Sequence, residues 1–141
     1  MFLLNRVTAC DTEKAALSSE VDISESDLFF DPALGGVPVW VGFEYMAQSI
    51  SALSGISAKK LDGCEPKIGF VMGVRDFKTE LGCYQSGQSY RIQIKQIFRD
   101  NQVVSFDCSI SKKEDQTPLV EAVVNGIEFD EGELQKLGMF P

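Results

Sequence analysis

Histidine is absent from the 141-residue sequence, and cysteine is scarce. The four cysteines, Cys10, Cys64, Cys83 and Cys108, show no paired CxxC spacing. Without histidine and without paired cysteines the usual zinc ligand sets are nearly excluded, so we expect no metal site. The cysteine pattern fits a thiol-reducing compartment best, and we expect a cytoplasmic location.

The sequence also has few basic residues and no long apolar run. Lys and Arg number 13 against 21 Asp and Glu, and the formal net charge of -8 opposes nonspecific attraction to nucleic-acid phosphates. No apolar run reaches the roughly 20 residues of a membrane helix. The opening MFLLNRV lacks the charged segment and cleavage site of a secretory signal. We therefore expect neither a nucleic-acid nor a membrane partner.

The sequence does contain enough apolar residues for one core. Its hydrophobic content is 44%, and two domains in this length would each bury little surface. No internal repeat or low-complexity tract divides the chain. We expect residues 1–141 to form a single domain.

Five segments have the period or composition of strands. In residues 15–23 apolar and polar residues alternate from Leu17 to Ile23, which predicts a strand with one buried face. Four further segments are rich in beta-branched and aromatic residues and are separated by turn-forming clusters. They predict an antiparallel meander of strands at residues 68–79, 89–99, 102–111 and 119–129.

The second strand of this meander has two distinct faces and a clear end. Its predicted apolar face carries Tyr90, Ile92, Ile94 and Phe98, whereas Arg91, Lys95 and Arg99 share the other face. Asp100-Asn101 then predicts a tight turn into the next strand.

Residues 39–54 have a helical period instead. Apolar side chains recur at spacings of three and four, at Phe43, Met46, Ala47, Ile50 and Leu53, and Gly55 is a natural C-terminal stop. Such a helix, apolar on nearly all sides, should be buried. Tyr45 points about 100 degrees away from its neighbour Glu44, so we expect it in core or dimer packing.

One charge interrupts the apolar helix. Glu44 is the one side chain between residues 37 and 58 that is charged at neutral pH, and it forms a polar stripe with Gln48 and Ser51. One strand, one long helix and then four strands predict an α+β protein, in which an antiparallel sheet wraps around a central helix.

The helical segment also carries a resemblance. FFDPALGGVPVWVGFEYMAQSISALSG, at residues 29–55, resembles the signature of the beta-hydroxyacyl-acyl-carrier-protein dehydratase family, above all in EYMAQ at residues 44–48. MFLLNRV and VMGVRDFKTELGCYQSGQSYRIQI resemble that family's first strand and its downstream strand, turn and strand. GGVPVWVGFEYMAQSI is most similar to the ApeP-like branch, which is associated with aryl polyene biosynthesis.

The resemblance implies a fold and a reaction. The fold is the hot-dog fold, an antiparallel sheet around one long helix, assembled as a homodimer with a substrate tunnel at the interface. The reaction is dehydration of a 3-hydroxyacyl thioester to the trans-2-enoyl thioester in fatty acid or aryl polyene synthesis. The substrate would be carried on the phosphopantetheine of an acyl carrier protein, and no further cofactor is implied.

The resemblance also implies roles for individual residues. Glu44 corresponds to the family's catalytic carboxylate. Backbone N–H groups at Val41, Gly42 and Phe43, expected to be unpaired at the helix start, could bind the thioester carbonyl. Gln48 adjoins the carboxylate on the same stripe. Trp40, Phe29 and Phe30 could line the acyl tunnel, although an ordinary core would use aromatics in the same way.

The chain departs from the family at one position. The family's histidine precedes the helix in a Gly-His-Phe-Pro-Gly loop, where this chain has Asp31-Pro32-Ala33-Leu34-Gly35-Gly36. Asp31 could stand in as the second acid/base group, but an Asp before Pro is more often a turn residue. Family members also commonly carry Pro-His before the segment that resembles MFLLNRV, so a histidine encoded upstream of Met1 is a further expectation.

Three alternatives remain open on the sequence alone. Glu44 could be a buried structural carboxylate. A hot-dog protein with a helix carboxylate could instead be an acyl thioesterase, or a non-catalytic acyl-binding or dimerisation subunit. Five basic residues near the helix exit could receive an acidic carrier protein or form an ordinary solvated surface: Lys59, Lys60, Lys67, Arg75 and Lys78.

Overall fold

The structure, a computed structural model, describes residues 2–60 and 68–129 together with residues 132, 136 and 138. In this part of the chain one long helix, α1 (Gly42–Lys60), follows a short 3-10 turn at Val39–Val41. The strands are β1 (Arg6–Asp11), β2 (Ala16–Asp22), β3 (Gly36–Pro38), β4 (Ile68–Thr79), β5 (Cys83–Gln85), β6 (Ser89–Asp100), β7 (Val103–Lys112) and β8 (Val120–Phe129).

Six of these strands form one antiparallel sheet in the order β1-β2-β6-β7-β8-β4, and α1 packs against it. The predicted α+β arrangement of an antiparallel sheet around one helix is confirmed. The predicted number of strands is wrong, because β1 joins the sheet edge and β3 pairs with β5 in a separate two-stranded ribbon. β1 is mostly exposed and has no buried row to reveal it, and β3 and β5 have three residues each.

The predicted division of β6 into an apolar and a basic face is correct only for the first half of the strand. Tyr90, Ile92 and Ile94 are buried in the core. A register shift between Gln96 and Phe98 interrupts the pairing with β7, and Phe98 is 51% exposed. A bulge changes which face the following residues occupy, so the prediction that Phe98 belongs to the core face is wrong. The expected turn after β6 is present, with Asn101 at a φ of 54°.

The helix buries one face rather than nearly its whole circumference. Tyr45, Met46, Ser49 and Leu53 are buried, and the hydroxyl of Ser49 lies 2.7 Å from that of Ser19 on β2. Phe43 and Ile50, on the side of Glu44, are half-buried. Burial of the helix and core packing of Tyr45 are therefore confirmed, and the Glu44 side faces open space.

The helix ends later than predicted. Gly55 was the expected stop, but α1 continues to Lys60. A helical glycine costs only about 1 kcal/mol relative to alanine. The turn that follows packs well, since Ala58 is buried and Ile56 lies against the core. Packing of this last turn thus outweighs the local signal of Gly55.

No helix in the described ranges, 2–60 and 68–129, is long and apolar enough to cross a membrane. The same ranges contain no group of three His, Cys, Asp or Glu side chains placed to hold a metal ion.

Candidate active site

The start of α1 is set by a close approach between backbone and side chain. A Cβ atom on Gly42 would lie 2.0 Å from the hydroxyl oxygen of Tyr84, so only glycine fits at this position. That hydroxyl donates a hydrogen bond of 3.1 Å to the carbonyl oxygen of Val39. Tyr84 on β5 therefore holds the 3-10 turn from which the helix starts.

Three tyrosines surround this anchor. The ring of Tyr84 makes edge contacts with Tyr45 on α1 and Tyr90 on β6, with centroids 5.5 and 5.1 Å apart. The Tyr90 hydroxyl accepts a hydrogen bond of 2.9 Å from the backbone N–H of Gln85. Burial raises the pKa of Tyr84 and of Tyr45 far above their usual range. The cluster is rigid and uncharged, and it supports the helix start from behind.

The N–H groups at the helix start are partly engaged. Gly42 caps the end of the 3-10 turn, and the capping backbone N–H donates to the carbonyl oxygens of Val39 and Trp40. The expectation that the donors at Val41, Gly42 and Phe43 are all unpaired is therefore corrected. A 3-10 turn satisfies donors that an α-helix would leave free.

Glu44 lies in the first turn of α1 and is half-buried. Its Oε1 accepts a hydrogen bond of 3.1 Å from Nε2 of Gln48. The other end of the Gln48 amide, Oε1, accepts a bond of 2.7 Å from the backbone N–H of Leu3. Leu3 thus orients the amide so that its NH₂ group faces Glu44. Within the described residues Oε2 of Glu44 has no hydrogen-bond partner.

Two cavities meet at Glu44 and Gln48. The outer cavity, of about 330 Å³, is lined by these two residues with Leu3, Phe29, Trp40, Val41 and Phe43. The inner cavity, of about 180 Å³, lies between α1 and strands β4, β7 and β8. Two carboxylates, Glu44 and Glu128, and the amide of Gln48 line this cavity. The other lining residues are apolar or small: Ala47, Ile50, Ser51, Gly69, Val71, Val104, Phe106, Val124, Gly126 and Ile127. The carboxylate of Glu44 therefore lines both the outer and the inner cavity.

Most of the residues expected to bind substrate lie around the outer cavity. Trp40 is 61% exposed, and its ring contacts that of Phe29 at 5.8 Å. Val41 and Phe43 line the same cavity, and Gln48 lines both. Gly42 is buried against Tyr84 instead, and Phe30 lines neither cavity. The helix start and the Phe29–Trp40 pair thus form the mouth of the site.

Asp31 lies apart from both cavities. Its carboxylate Oδ1 accepts a hydrogen bond of 2.9 Å from the N–H of Ala33, and its carbonyl oxygen accepts bonds from Leu34 and Gly35. Its own N–H donates to the carbonyl oxygen of Gly36. These bonds shape the loop before β3. The structure gathers Glu44, Gln48 and the outer aromatics, and it leaves Asp31 in a turn.

Sequence reasoning missed Glu128, a buried carboxylate in the inner cavity. It is 8% exposed, and its Oε1 pairs with Nη2 of Arg99 at 2.9 Å. The sequence does contain a signal for this position. Glu128 continues the alternation of the buried residues Val120, Ala122 and Val124, which predicts that its side chain points inward from β8. Arg99 was hidden by the bulge at Gln96 and Phe98, since strict alternation placed it on the outer face.

Solved structures with a similar fold define the class of this protein. The ApeI:P dehydratase heterocomplex from Xenorhabdus doucetiae matches with a TM-score of 0.82 and 25% identity, over 96% of this chain and 88% of that chain. An acetyl-CoA-bound protein from Streptococcus mutans UA159, smu.793, matches with a TM-score of 0.65 and 10% identity, over 89% and 88%. A hypothetical thioesterase with coenzyme A from Streptococcus pneumoniae TIGR4 matches at 0.66 and 10%, over 88% and 84%.

These likenesses and the sheet around α1 define a hot-dog-fold protein, and its class is that of the hot-dog dehydratases. A model of the ApeP-like dehydratase family, described as ApeP dehydratase, matches residues 1–137. The chain belongs to this family, which confirms the resemblance seen in the helix. A comparison with curated protein sequences gave no match.

Proposed function

We propose that this chain dehydrates 3-hydroxyacyl thioesters carried on the phosphopantetheine of an acyl carrier protein, with Glu44 as a catalytic residue. One observation carries the proposal: Glu44, a half-buried carboxylate, lines both the outer and the inner cavity, and within the described residues its Oε2 accepts no hydrogen bond. A carboxylate placed in such surroundings needs a reason, because burying a charge without pairing it is costly.

The chemistry needs two proton carriers. One group removes the proton from C2 of the substrate, and one protonates the C3 hydroxyl group, which leaves as water and yields the trans-2-enoyl thioester. Gln48 holds Oε1 of Glu44 and leaves Oε2 to exchange a proton with the substrate. Glu44 therefore supplies one of the two carriers.

The second proton carrier is better supplied by a second protein chain than by Asp31. The carboxylate of Asp31 already accepts a bond within its own loop and lines neither cavity. β4 forms an edge of the sheet and exposes Val71 and Met72, at 43% and 66%. An exposed apolar edge strand invites pairing. The similar Xenorhabdus protein is a heterocomplex, so pairing with a second copy or with a related dehydratase chain fits this edge.

The two cavities suit the two parts of a carrier-bound substrate. The outer cavity lies beside exposed Trp40, and its volume of about 330 Å³ would take part of the pantetheine arm. The aliphatic and aromatic side chains of the inner cavity would contact the acyl chain, which would place the thioester next to Glu44. The helix dipole at the start of α1, with whichever N–H groups the 3-10 turn leaves free, would polarise the thioester carbonyl.

Carrier docking would use the basic residues around β4. Lys59, Arg75 and Lys78 are exposed, and Arg75 pairs with Asp76 at 3.3 Å. The side chain of Lys60 and the whole of Lys67 lie outside the described residues. A local positive surface of this kind would offset the net charge of -8 toward an acidic carrier.

Thioester hydrolysis is the second candidate. Structurally similar proteins include one called a thioesterase, solved with coenzyme A. The observation that favours it is that, within the described residues, no second titratable side chain is bonded to Glu44. A single carboxylate can activate a water molecule without a second proton carrier.

Product analysis separates these two reactions. Purified chain is incubated with a 3-hydroxyacyl carrier protein, and the products are identified by mass spectrometry of the carrier arm. We expect the enoyl thioester, with loss of one water. Release of free acid would show hydrolysis instead. No conversion, alone or together with a related dehydratase chain, would favour a non-catalytic acyl-binding subunit.

A further inference from the structure

A cluster of ion pairs lies on the outer face of the sheet, outside both cavities. Ser19 on β2 faces α1, where its hydroxyl meets that of Ser49, so its neighbour Glu20 points to the opposite face. Glu20 is nevertheless only 5% exposed. Its Oε1 lies 3.0 Å from Nε of Arg6, the first residue of β1. A carboxylate buried on the face away from the core needs such a partner.

Arg6 joins two carboxylates at once. Its Nη1 and Nη2 both donate to the carboxylate of Asp22, at 2.7–2.9 Å, while Nε meets Glu20. The hydroxyl of Ser89 on β6 donates to Oδ1 of Asp22 at 2.6 Å. We call Arg6, Glu20 and Asp22 the Arg6 cluster. A two-pronged contact between guanidinium and carboxylate fixes geometry as well as charge, so the cluster holds the start of β1 in one position on β2.

The backbone before β1 is fixed by the same part of β2. The N–H of Asn5 donates to the carbonyl oxygen of Glu20 at 2.9 Å. The side-chain oxygen of Asn5 accepts a hydrogen bond of 2.8 Å from the N–H of Asp22. The next residue toward the N-terminus, Leu4, is buried in the core. The chain from Arg6 to Leu4 is therefore held by ion pairs on one face of the sheet and by packing on the other.

This segment ends at the hydrogen bond that orients Gln48. The N–H of Leu3 donates to Oε1 of Gln48 at 2.7 Å, and Nε2 of Gln48 donates to Glu44 at 3.1 Å. An amide group has an acceptor at one end and donors at the other, so a donor on one side decides which end faces Glu44. Without Leu3 in this place the amide is free to turn over and set its oxygen against the carboxylate, where two acceptors repel each other.

We propose that Arg6 is a positioning residue of the active site. The Arg6 cluster holds the N–H of Leu3 on Gln48, and this bond keeps the NH₂ group of Gln48 against Glu44. Ion pairs between half-exposed side chains stabilise a fold little, and the side chains of Arg6 and Asp22 are 39% and 44% exposed. Positioning therefore explains the cluster better than stability of the sheet edge does. The inference rests on the proposed function, which gives Glu44 its role in turnover.

Hydrogen exchange of the Leu3 amide tests the link without any substrate. In protein labelled with ¹⁵N-leucine, Arg6→Gln should speed the exchange of Leu3 by about 10-fold relative to Leu53 in α1, since a charge-assisted contact is lost. A global loss of stability would speed both amides, whereas local opening speeds Leu3 alone. Asp11→Ala is the matched control, because it removes two turn bonds at the other end of β1 and should leave Leu3 unchanged.

Turnover measures the consequence for the site. In the dehydration assay Arg6→Gln should lower kcat by about 10-fold with KM little changed, because the carboxylate is misplaced while the cavities stay intact. The same substitution should have little effect in a Gln48→Leu background, since the two changes act on one hydrogen bond and are not additive. A purely structural role would give equal losses in both backgrounds. Arg6→Lys keeps the charge without the two-pronged contact and should recover only part of the rate.

Two results would overturn the inference. Unchanged relative exchange of Leu3 in Arg6→Gln would do so, as would equal losses of kcat with and without Gln48. If Arg6→Gln does not fold, Asp22→Asn removes the paired charge but keeps the shape of the side chain, and the same two measurements decide. Absence of wild-type turnover would overturn the proposed function instead, and the exchange of Leu3 would then decide whether the Arg6 cluster holds this bond.

Discussion

At the residue scale, the proposed chemistry centres on Glu44. Its Oε1 is held by Gln48, which is itself oriented by the backbone of Leu3. A carboxylate with a purely structural role would have both oxygens bonded. In the described part of the chain, Oε2 of Glu44 has no hydrogen-bond partner. This arrangement supports the proposed role of Glu44 as a proton carrier.

We predict that Glu44→Gln lowers turnover by about 10²- to 10⁴-fold, the usual contribution of a positioned acid or base. Gln keeps the shape of the side chain but does not take up a proton at neutral pH. The thermal midpoint should stay close to that of wild type, since Gln keeps an oxygen that can accept the bond from Gln48. Rates of enoyl formation and thermal melts measure the two effects.

Asp31→Asn is the matched control for this substitution. Asn keeps the side-chain oxygen that accepts the bond from Ala33, so the loop should survive and turnover should change less than about threefold if Asp31 only shapes the turn. A loss as large as that of Glu44→Gln would instead make Asp31 the second proton carrier.

At the scale of elements, the start of α1 depends on a contact that no local pattern reveals. Gly42 and Gly55 both lie in the helix, yet only Gly42 is pressed against a side chain, the hydroxyl of Tyr84. A Cβ atom on Gly55 would have no neighbouring atom within 4 Å. The two glycines therefore differ in function although they share one element.

We predict opposite effects of alanine at these two positions. Gly42→Ala should destabilise the protein by about 1–3 kcal/mol, the usual cost of overpacking, because neither the Tyr84 ring nor the helix start can move freely. Gly55→Ala should stabilise it by up to about 1 kcal/mol through helix propensity. Urea unfolding of the two variants measures both, and a stable Gly42→Ala would contradict the proposed anchor.

At the scale of the whole molecule, the edges of the sheet bear on assembly. We predict that Met72→Lys on β4 prevents pairing, because a charge on an edge strand opposes it. Light scattering of wild-type protein should give about twice the chain mass of 15.5 kDa, and the variant should give the chain mass. A wild-type monomer would contradict self-pairing and leave a related dehydratase chain as the partner to test by mixing.

The buried core also predicts sensitivity to alkali. Burial, with a smaller effect of Asp107, raises the pKa of the Cys108 thiol from 9.0 to about 12. Between these values the unfolded chain loses the proton while the folded chain keeps it. Stability should therefore be unaffected below pH 9 and fall as the pH rises toward 12. Burial of Tyr84 and Tyr45 acts in the same direction above pH 10.

Urea unfolding at several pH values checks this expectation. The free energy of unfolding should fall by roughly 1 kcal/mol per pH unit for each such group, as linkage requires. Cys108→Ala should show a shallower fall between about pH 9 and 10, below the usual range of tyrosine. Equal slopes in the two proteins would mean that Cys108 does not titrate in the unfolding transition.

The sequence by itself determined the features that follow from local period. Alternation placed β2 and the meander strands, the helical spacing placed α1, and one charge in an apolar helix selected Glu44. The motif around it identified the family. The predictions of the strands and the helix succeed because the period of side chains along a strand or helix is a property of a few consecutive residues. The catalytic role of Glu44 stays a prediction.

Only the tertiary structure decided the features that depend on contacts between distant residues. Tyr84 anchors Gly42, Leu3 orients Gln48, and Arg99, which follows the bulge in β6, pairs with Glu128. Each pair is separated by at least 29 residues, and the helix passes Gly55 because its last turn packs on the core. Packing and register are set across the sheet, so they overrule the local signals of a glycine stop and of strict alternation.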